Sequence, residues 1–129
     1  MTPLVDLALV VDLLVLRVRV PRAFDRQPLP QTLAELAAHQ PLARGTSAQT
    51  ERAIAWTERL ISALALPRDT CLYRSLARFA ALRSQGQRIT FVMGVHEDHG
   101  HAWLERDGQP LEELDYPYAV TYRYPSNTG

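Results

Sequence analysis

An α+β fold is predicted, with N-terminal helices packed on a C-terminal antiparallel sheet, and three observations carry that expectation. Up to Gly86, apolar residues recur mostly at helical spacing, as in "AQTERAIAWTERLISALAL" and "CLYRSLARFAALRSQG". From "RITFVMGV" onward the period shortens to two. Asp107-Gly108 then separates two extended runs, a strong local signal for a tight hairpin. Helices first and strands last is the α+β order.

Residues 4 to about 16 read as a helix rich in Leu, Val and Ala, and the alternation in "LRVRVP" before Pro21 predicts an extended exit. The run from Pro3 to Val20 resembles a signal or anchor, but Asp6 and Asp12 interrupt it. No basic region precedes it and no small-residue cleavage site follows, so a buried or partner-facing helix is expected, without membrane insertion. "FDRQPLPQ", with two prolines, reads as a linker, and "QTLAELAAH" (Gln31 to His39) as a short amphipathic helix. "PLARGTSA" connects to a long helix with Thr46 or Ser47 as N-cap. Ala53, Ile54, Trp56, Leu60, Ile61 and Leu64 fall near one helical stripe, which Pro67 ends.

Asp69 or Thr70 can cap the next helix, which places Cys71 in its first turn. Leu72, Leu76, Phe79, Ala80 and Arg83 keep its period, and Gly86 stands where a C-cap glycine belongs. Four strands are expected: "RITFVMGV", "HAWLER", "QPLEEL" and the alternating "YAVTYRYP".

The 129 residues are expected to form one domain, 1–129, with a helical N-terminal extension over 1–45 and a catalytic core over 46–129. An apolar content of 47% against 22% charged argues for a packed core. The formal charge is zero and no basic run occurs, which argues against nucleic acid or anionic lipid as partner. All fourteen cations are Arg, a bias expected from a GC-rich bacterial genome. One cysteine excludes an internal disulfide framework and thiolate-rich zinc sites, so a cytoplasmic location is expected.

A thiol in the first turn of a helix meets unpaired N–H groups and the positive end of the dipole, which favour thiolate. The same N–H groups can hold an oxyanion. Such a nucleophile needs a base on a rigid neighbour, and His101 begins a strand. An isolated cysteine is more often a small buried hydrophobe, and spacing alone does not decide between the two. His96, His99 and His101 with Glu97 or Asp98 could bind zinc, but "HEDHGH" lacks helical ligand spacing. His96, Glu97, Asp98 and His99 are read instead as a solvated loop, with only His101 entering the sheet and no metal or cofactor. Trp103 either fills core or walls a cleft and shields the imidazole, and Arg74 reads as a surface ion-pair residue.

These residues carry a family resemblance. Cys71-Leu72, Arg74-Ser75-Leu76, Gly86, Gly94-Val95 and the run "HAWLERDGQPL" from His101 to Leu111 resemble the transglutaminase-like cysteine peptidases of lasso-peptide biosynthesis, the B protein or its separate C-terminal half. The resemblance is close over the C-terminal sixty or so residues and looser upstream, where "TSAQTERAIAWTERL" resembles the preceding helix. His-Ala-Trp alone marks the superfamily; its combination with Cys-Leu-x-Arg-Ser-Leu is more specific. The resemblance implies a papain-like peptidase fold, Cys71 as nucleophile, His101 as general base, and Glu113 where relatives usually carry Asp. It further implies removal of a leader from a ribosomally made precursor peptide, with a leader-binding recognition protein and a lasso cyclase as partners. An ideal Asp107-Gly108 hairpin, however, sets Trp103 opposite Glu112, so His101 shares a face with Glu112 rather than Glu113. Glu112 and Asp115 therefore stand beside Glu113 as candidates. A transglutaminase-type acyl transferase and a non-catalytic peptide-binding relative are the other functional readings.

Overall fold

A computed structural model describes residues 3–41, 43–64, 71–114 and 116–125; the side chains of 3–5, 64 and 71 lie outside that description. Within it, helices α1 (Pro3–Arg26), α2 (Leu29–Ala37), α3 (Ser47–Leu64) and α4 (Cys71–Ser84) precede strands β1 (Thr90–His96), β2 (His99–Arg106), β3 (Gln109–Pro110) and β4 (Ala119–Tyr124). The strands form one antiparallel sheet in the order β3-β2-β1-β4. The fold is α+β, helices first and sheet last.

The extended exit expected before Pro21 is not formed: α1 continues through Pro21 to Arg26. Burial explains the difference. A strand would turn Leu16, Val18 and Val20 to one side, whereas the core takes Leu9, Leu13, Leu16 and Val20 and leaves Val18 exposed. That is helical spacing, and packing against α3 and α4 outweighs the carbonyl partner that Pro21 removes. Asp12, within this stripe, is buried and hydrogen-bonded at 2.9 Å to Nε2 of His39 beyond α2. The expected proline linker is correspondingly short, since Pro28 and Pro30 sit at the start of α2, where a missing N–H costs nothing.

Thr46 caps α3 as expected. Its Oγ1 accepts from Gln49 N–H at 3.1 Å, and Gln49 Oε1 accepts from Thr46 N–H at 2.9 Å, a reciprocal capping box. The buried stripe of α3 is Thr50, Ala53, Ile54, Thr57 and Ile61. Trp56 and Leu60, expected on it, are exposed, because the stripe follows the groove of α1 and places them outside. The Asp69, Thr70 and Pro67 signals lie outside the described residues. At the far end of α4, Gly86 takes φ +87°. Gln87 N–H bonds Leu82 O and Gly86 N–H bonds Arg83 O, which closes the helix with a Schellman motif.

One core joins α1, α2, α3 and α4 to a single face of the sheet. Leu76, Phe79 and Ala80 of α4 meet Phe91, Ala102 and Leu104, with Tyr122 and Tyr124 packed at its margin. The Asp107-Gly108 turn has φ +54° and +80°, as a primed two-residue hairpin requires. The third strand is shorter than "QPLEEL" suggested. After Leu111 N–H bonds Leu104 O, Glu112 turns away to the Arg78 guanidinium of α4. Pro110 is tolerated because this is an edge strand.

Candidate functional site

Cys71 is the first residue of α4, and His101 sits on β2 opposite Gly94 of β1. Ser75, one turn into α4, donates its Oγ to the carbonyl of Ala102 at 3.2 Å. The start of the helix and the His101 strand are therefore neighbours. Between them lies a cleft of about 110 Å³ lined by Glu58, Arg74, Ser75, Arg78, His101, Ala102, Trp103 and Glu112. Cys71 places its backbone at the start of α4; its side chain lies outside the described residues.

The strand alternation gives the two faces of β2 different neighbours. Ala102 and Leu104 enter the core under α4, while His101, Trp103 and Glu105 point to the other face. The His101 ring is half-buried in a cluster of three: Tyr118 lies with its centroid 5.1 Å away and planes at 24°, Trp103 at 5.9 Å and 20°, and those two rings touch each other at 5.6 Å. Tyr118 reaches this face because of a bulge. Met93 pairs with Tyr122, but Gly94 pairs with Val120, so Thr121 is the extra residue. Without it, alternation along β4 would turn Tyr118 to the core side; with it, Tyr118 joins His101 while Tyr122 and Tyr124 remain toward the core.

Trp103 answers both of its readings. It is 4% exposed, yet its indole belongs to the outer face, lines the cleft and shields the imidazole. Arg74 is exposed and lines the same cleft. Arg78 also lines it, paired with Glu58 of α3 and with Glu112. The hairpin register runs without a bulge through Arg106–Gln109 and Glu105–Pro110. Glu112 leaves the ladder after Leu111, and its pairing with Arg78 of α4 sets it in the cleft lining with His101; Glu113, exposed like Glu112, is outside that lining. Asp115 lies outside the described residues.

The histidine-rich segment is more ordered than a solvated loop. His96 and His99 are a cross-strand pair closing a two-residue turn at Glu97-Asp98, with Glu97 at φ +54°. Both imidazoles stack on Tyr116, at 5.0 and 5.6 Å. Among the described residues no three His, Cys, Asp or Glu side chains gather as metal ligands. No described helix is long and apolar enough to cross a membrane.

Sequence reasoning left three contributors unassigned: Tyr118, Gly94 and Glu105. Gly94 must be small, since a Cβ there would come within 2.8 Å of the Trp103 ring and 2.9 Å of the Ala119 carbonyl. Its signal was a glycine inside a strand. For Glu105 the signal was its i, i+2 relation to Trp103, which places the two on one strand face.

A helix opening on cysteine and a strand carrying histidine, set around a common cleft, define a transglutaminase-like α+β domain. The chain belongs to the transglutaminase-like superfamily, whose family model matches residues 14–123. Membership is consistent with cysteine-peptidase or acyl-transferase chemistry. No curated protein and no solved structure matches the chain.

Proposed function

We propose that this protein is a cysteine peptidase that removes the leader from a ribosomally synthesised lasso-peptide precursor. The observation that carries the chemistry is the Ser75–Ala102 contact, which sets the cysteine-bearing helix start beside the histidine strand. In this reading the Cys71 thiolate attacks the carbonyl carbon at the leader–core junction. The tetrahedral oxyanion is held by N–H groups at the start of α4. The C–N bond then breaks, the amine leaves with a proton from the His101 imidazolium, and a thioester remains. Water, deprotonated by His101, hydrolyses that thioester and restores the thiol.

The motif assigns Glu113 to orient the imidazole, while Glu112, paired with Arg78, is the one of the two that lines the cleft with His101. Lasso peptidase specificity is supported by the Cys-Leu-x-Arg-Ser-Leu and His-Ala-Trp-x-Glu-x-Asp-Gly-x-Pro-Leu runs. The partners in this reading are the precursor, a leader-binding recognition protein and a lasso cyclase, in the cytoplasm. No metal or cofactor is required.

The test is to incubate the protein with a lasso-peptide precursor and a leader-binding protein, taken from its own gene neighbourhood where that encodes them, then weigh the products. The expected result is one cut at the leader–core junction, lost in Cys71→Ala. Superfamily membership favours one second reading, acyl transfer to an amine. A product carrying an added primary amine in place of a free carboxylate would establish it. Tight peptide binding with no cut in any variant would instead mark a non-catalytic relative.

A further inference from the structure

Glu105 is a buried carboxylate that the chemistry of Cys71 and His101 leaves unused. It is 6% exposed and lies on β2 four residues beyond His101, on the same face. A carboxylate out of water needs partners. Trp103 Nε1–H donates to its Oε2 at 3.0 Å, and an Arg123 guanidinium N–H donates to its Oε1 at 2.5 Å. The Arg123 side chain is 31% exposed, and an ion pair with one partner open to water adds little stability of its own. Stability alone therefore does not account for a Glu here.

What the carboxylate does is hold the indole. Trp103 has one polar atom, and Glu105 takes it. The six-membered edge of the same ring rests on Gly94, where even a methyl group would collide. The ring is thus held at both ends, and the His101 imidazole stacks on it at 20°, with Tyr118 as its second stacking partner.

We infer that Glu105 is a positioning residue: anchored by Arg123, it fixes Trp103, and Trp103 fixes the plane in which the His101 nitrogens face the cleft. This deepens the reading above and rests on His101 serving as the base. Stacking controls the tilt of an imidazole and leaves its nitrogens free for other partners, so the role is compatible with either Glu112 or Glu113 as a direct hydrogen-bond acceptor. Glu58, Arg74, Arg78 and Glu112 face the same cleft, and Tyr118 flanks the ring on the sheet. None of these changes in the variants below.

The test needs no substrate. Alkylation of Cys71 by iodoacetamide is followed against pH in the wild type, His101→Ala, Glu105→Gln, Trp103→Phe and the Trp103→Phe/Glu105→Gln double variant. The NMR resonance of His101 Cε1–H, shifted by the ring currents of Trp103 and Tyr118, is read in parallel. The wild-type profile should show thiolate well below the free-cysteine value of about 8.5, and His101→Ala should return it there. Glu105→Gln and Trp103→Phe should each raise the apparent value by about one unit, roughly a tenfold loss of alkylation rate on the acid side. Both should move the His101 resonance. Because Glu105 acts through Trp103, the double variant should match Trp103→Phe alone.

A folded Glu105→Gln protein with the wild-type profile and resonance overturns the inference, and so do additive shifts in the double variant. Should Glu105→Gln fail to fold, Trp103→Phe is read in its place, since it keeps an aromatic ring while losing the N–H donor and part of the indole's volume. If His101→Ala leaves the profile unchanged, the base assignment fails. The His101 resonance in Glu105→Gln then still upholds or rejects the positioning role.

Discussion

The two faces of β2 are buried by different means. Toward α4, Ala102 and Leu104 join Leu76, Phe79 and Phe91 in an apolar core, where shape and volume decide the energy. Immediately adjacent in the chain and on the opposite face, Trp103 and Glu105 are equally buried, but through an indole hydrogen bond, an ion pair and stacked rings. The apolar face gains most of its stability from area removed from water and tolerates substitutions that conserve volume. The polar face gains direction: each group has few partners, and losing one leaves another buried without a mate. His101 sits on the second face, which suits the proposed role of a base that must aim its nitrogens.

Substitutions can break this comparison or sharpen it. The largest effect is expected at the reacting pair. In the proposed mechanism both act in one covalent step, so Cys71→Ala and His101→Ala should each reduce precursor cleavage by several orders of magnitude with melting temperatures near wild type. Residual cleavage by purified Cys71→Ala would remove the nucleophile assignment.

Next come the carboxylates. If Glu112, held in the cleft by Arg78, orients the imidazole, Glu112→Gln should cost orders of magnitude in cleavage rate and Glu113→Gln much less. The reverse order, with Glu113→Asp active, would return the role to the position marked by the motif.

On the apolar face, Leu104→Ala and Phe91→Ala should lower stability by about 2–5 kcal/mol in denaturant titrations. The folded fraction should keep its Cys71 alkylation profile. A changed profile in a folded Leu104→Ala protein would show that the two faces are not separable.

A smaller effect concerns pH. Burial, with a lesser push from Tyr124, raises the Tyr122 phenol above its ordinary 10.0. The folded state thus holds the proton more tightly than the unfolded chain. That contribution is fully present below pH 10 and is lost as pH rises through the folded value. Tyr122→Phe should flatten the alkaline decline of melting temperature; an unchanged decline would assign it to other groups.

The smallest effect is expected on the outer side of α1. Val18→Ser should change stability by no more than about 0.5 kcal/mol, whereas a strand at 16–20 would have buried Val18 with Leu16 and Val20. A loss of several kcal/mol at Val18 would contradict the helical register.

Local signals decided much of this protein in the sequence itself. The α+β order, the Thr46 cap, the Gly86 terminus, the Asp107-Gly108 hairpin, and cysteine at a helix start with histidine on a strand all follow from short-range rules, because turns, caps and periodicity depend on neighbours a few residues apart. Other features required the packed chain. Helix α1 runs through Pro21 because burial against α3 and α4 outweighs a local breaker. Tyr118 reaches His101 only through the bulge at Thr121: an even alternation of Tyr118, Val120, Tyr122 and Tyr124 reads as one face, and the partner strand decides where that parity breaks. Glu112 lies in the cleft because the ladder stops after Leu111 and Arg78 of a distant helix takes the carboxylate. Each of these rests on a contact between residues far apart in the chain, which local propensity does not encode.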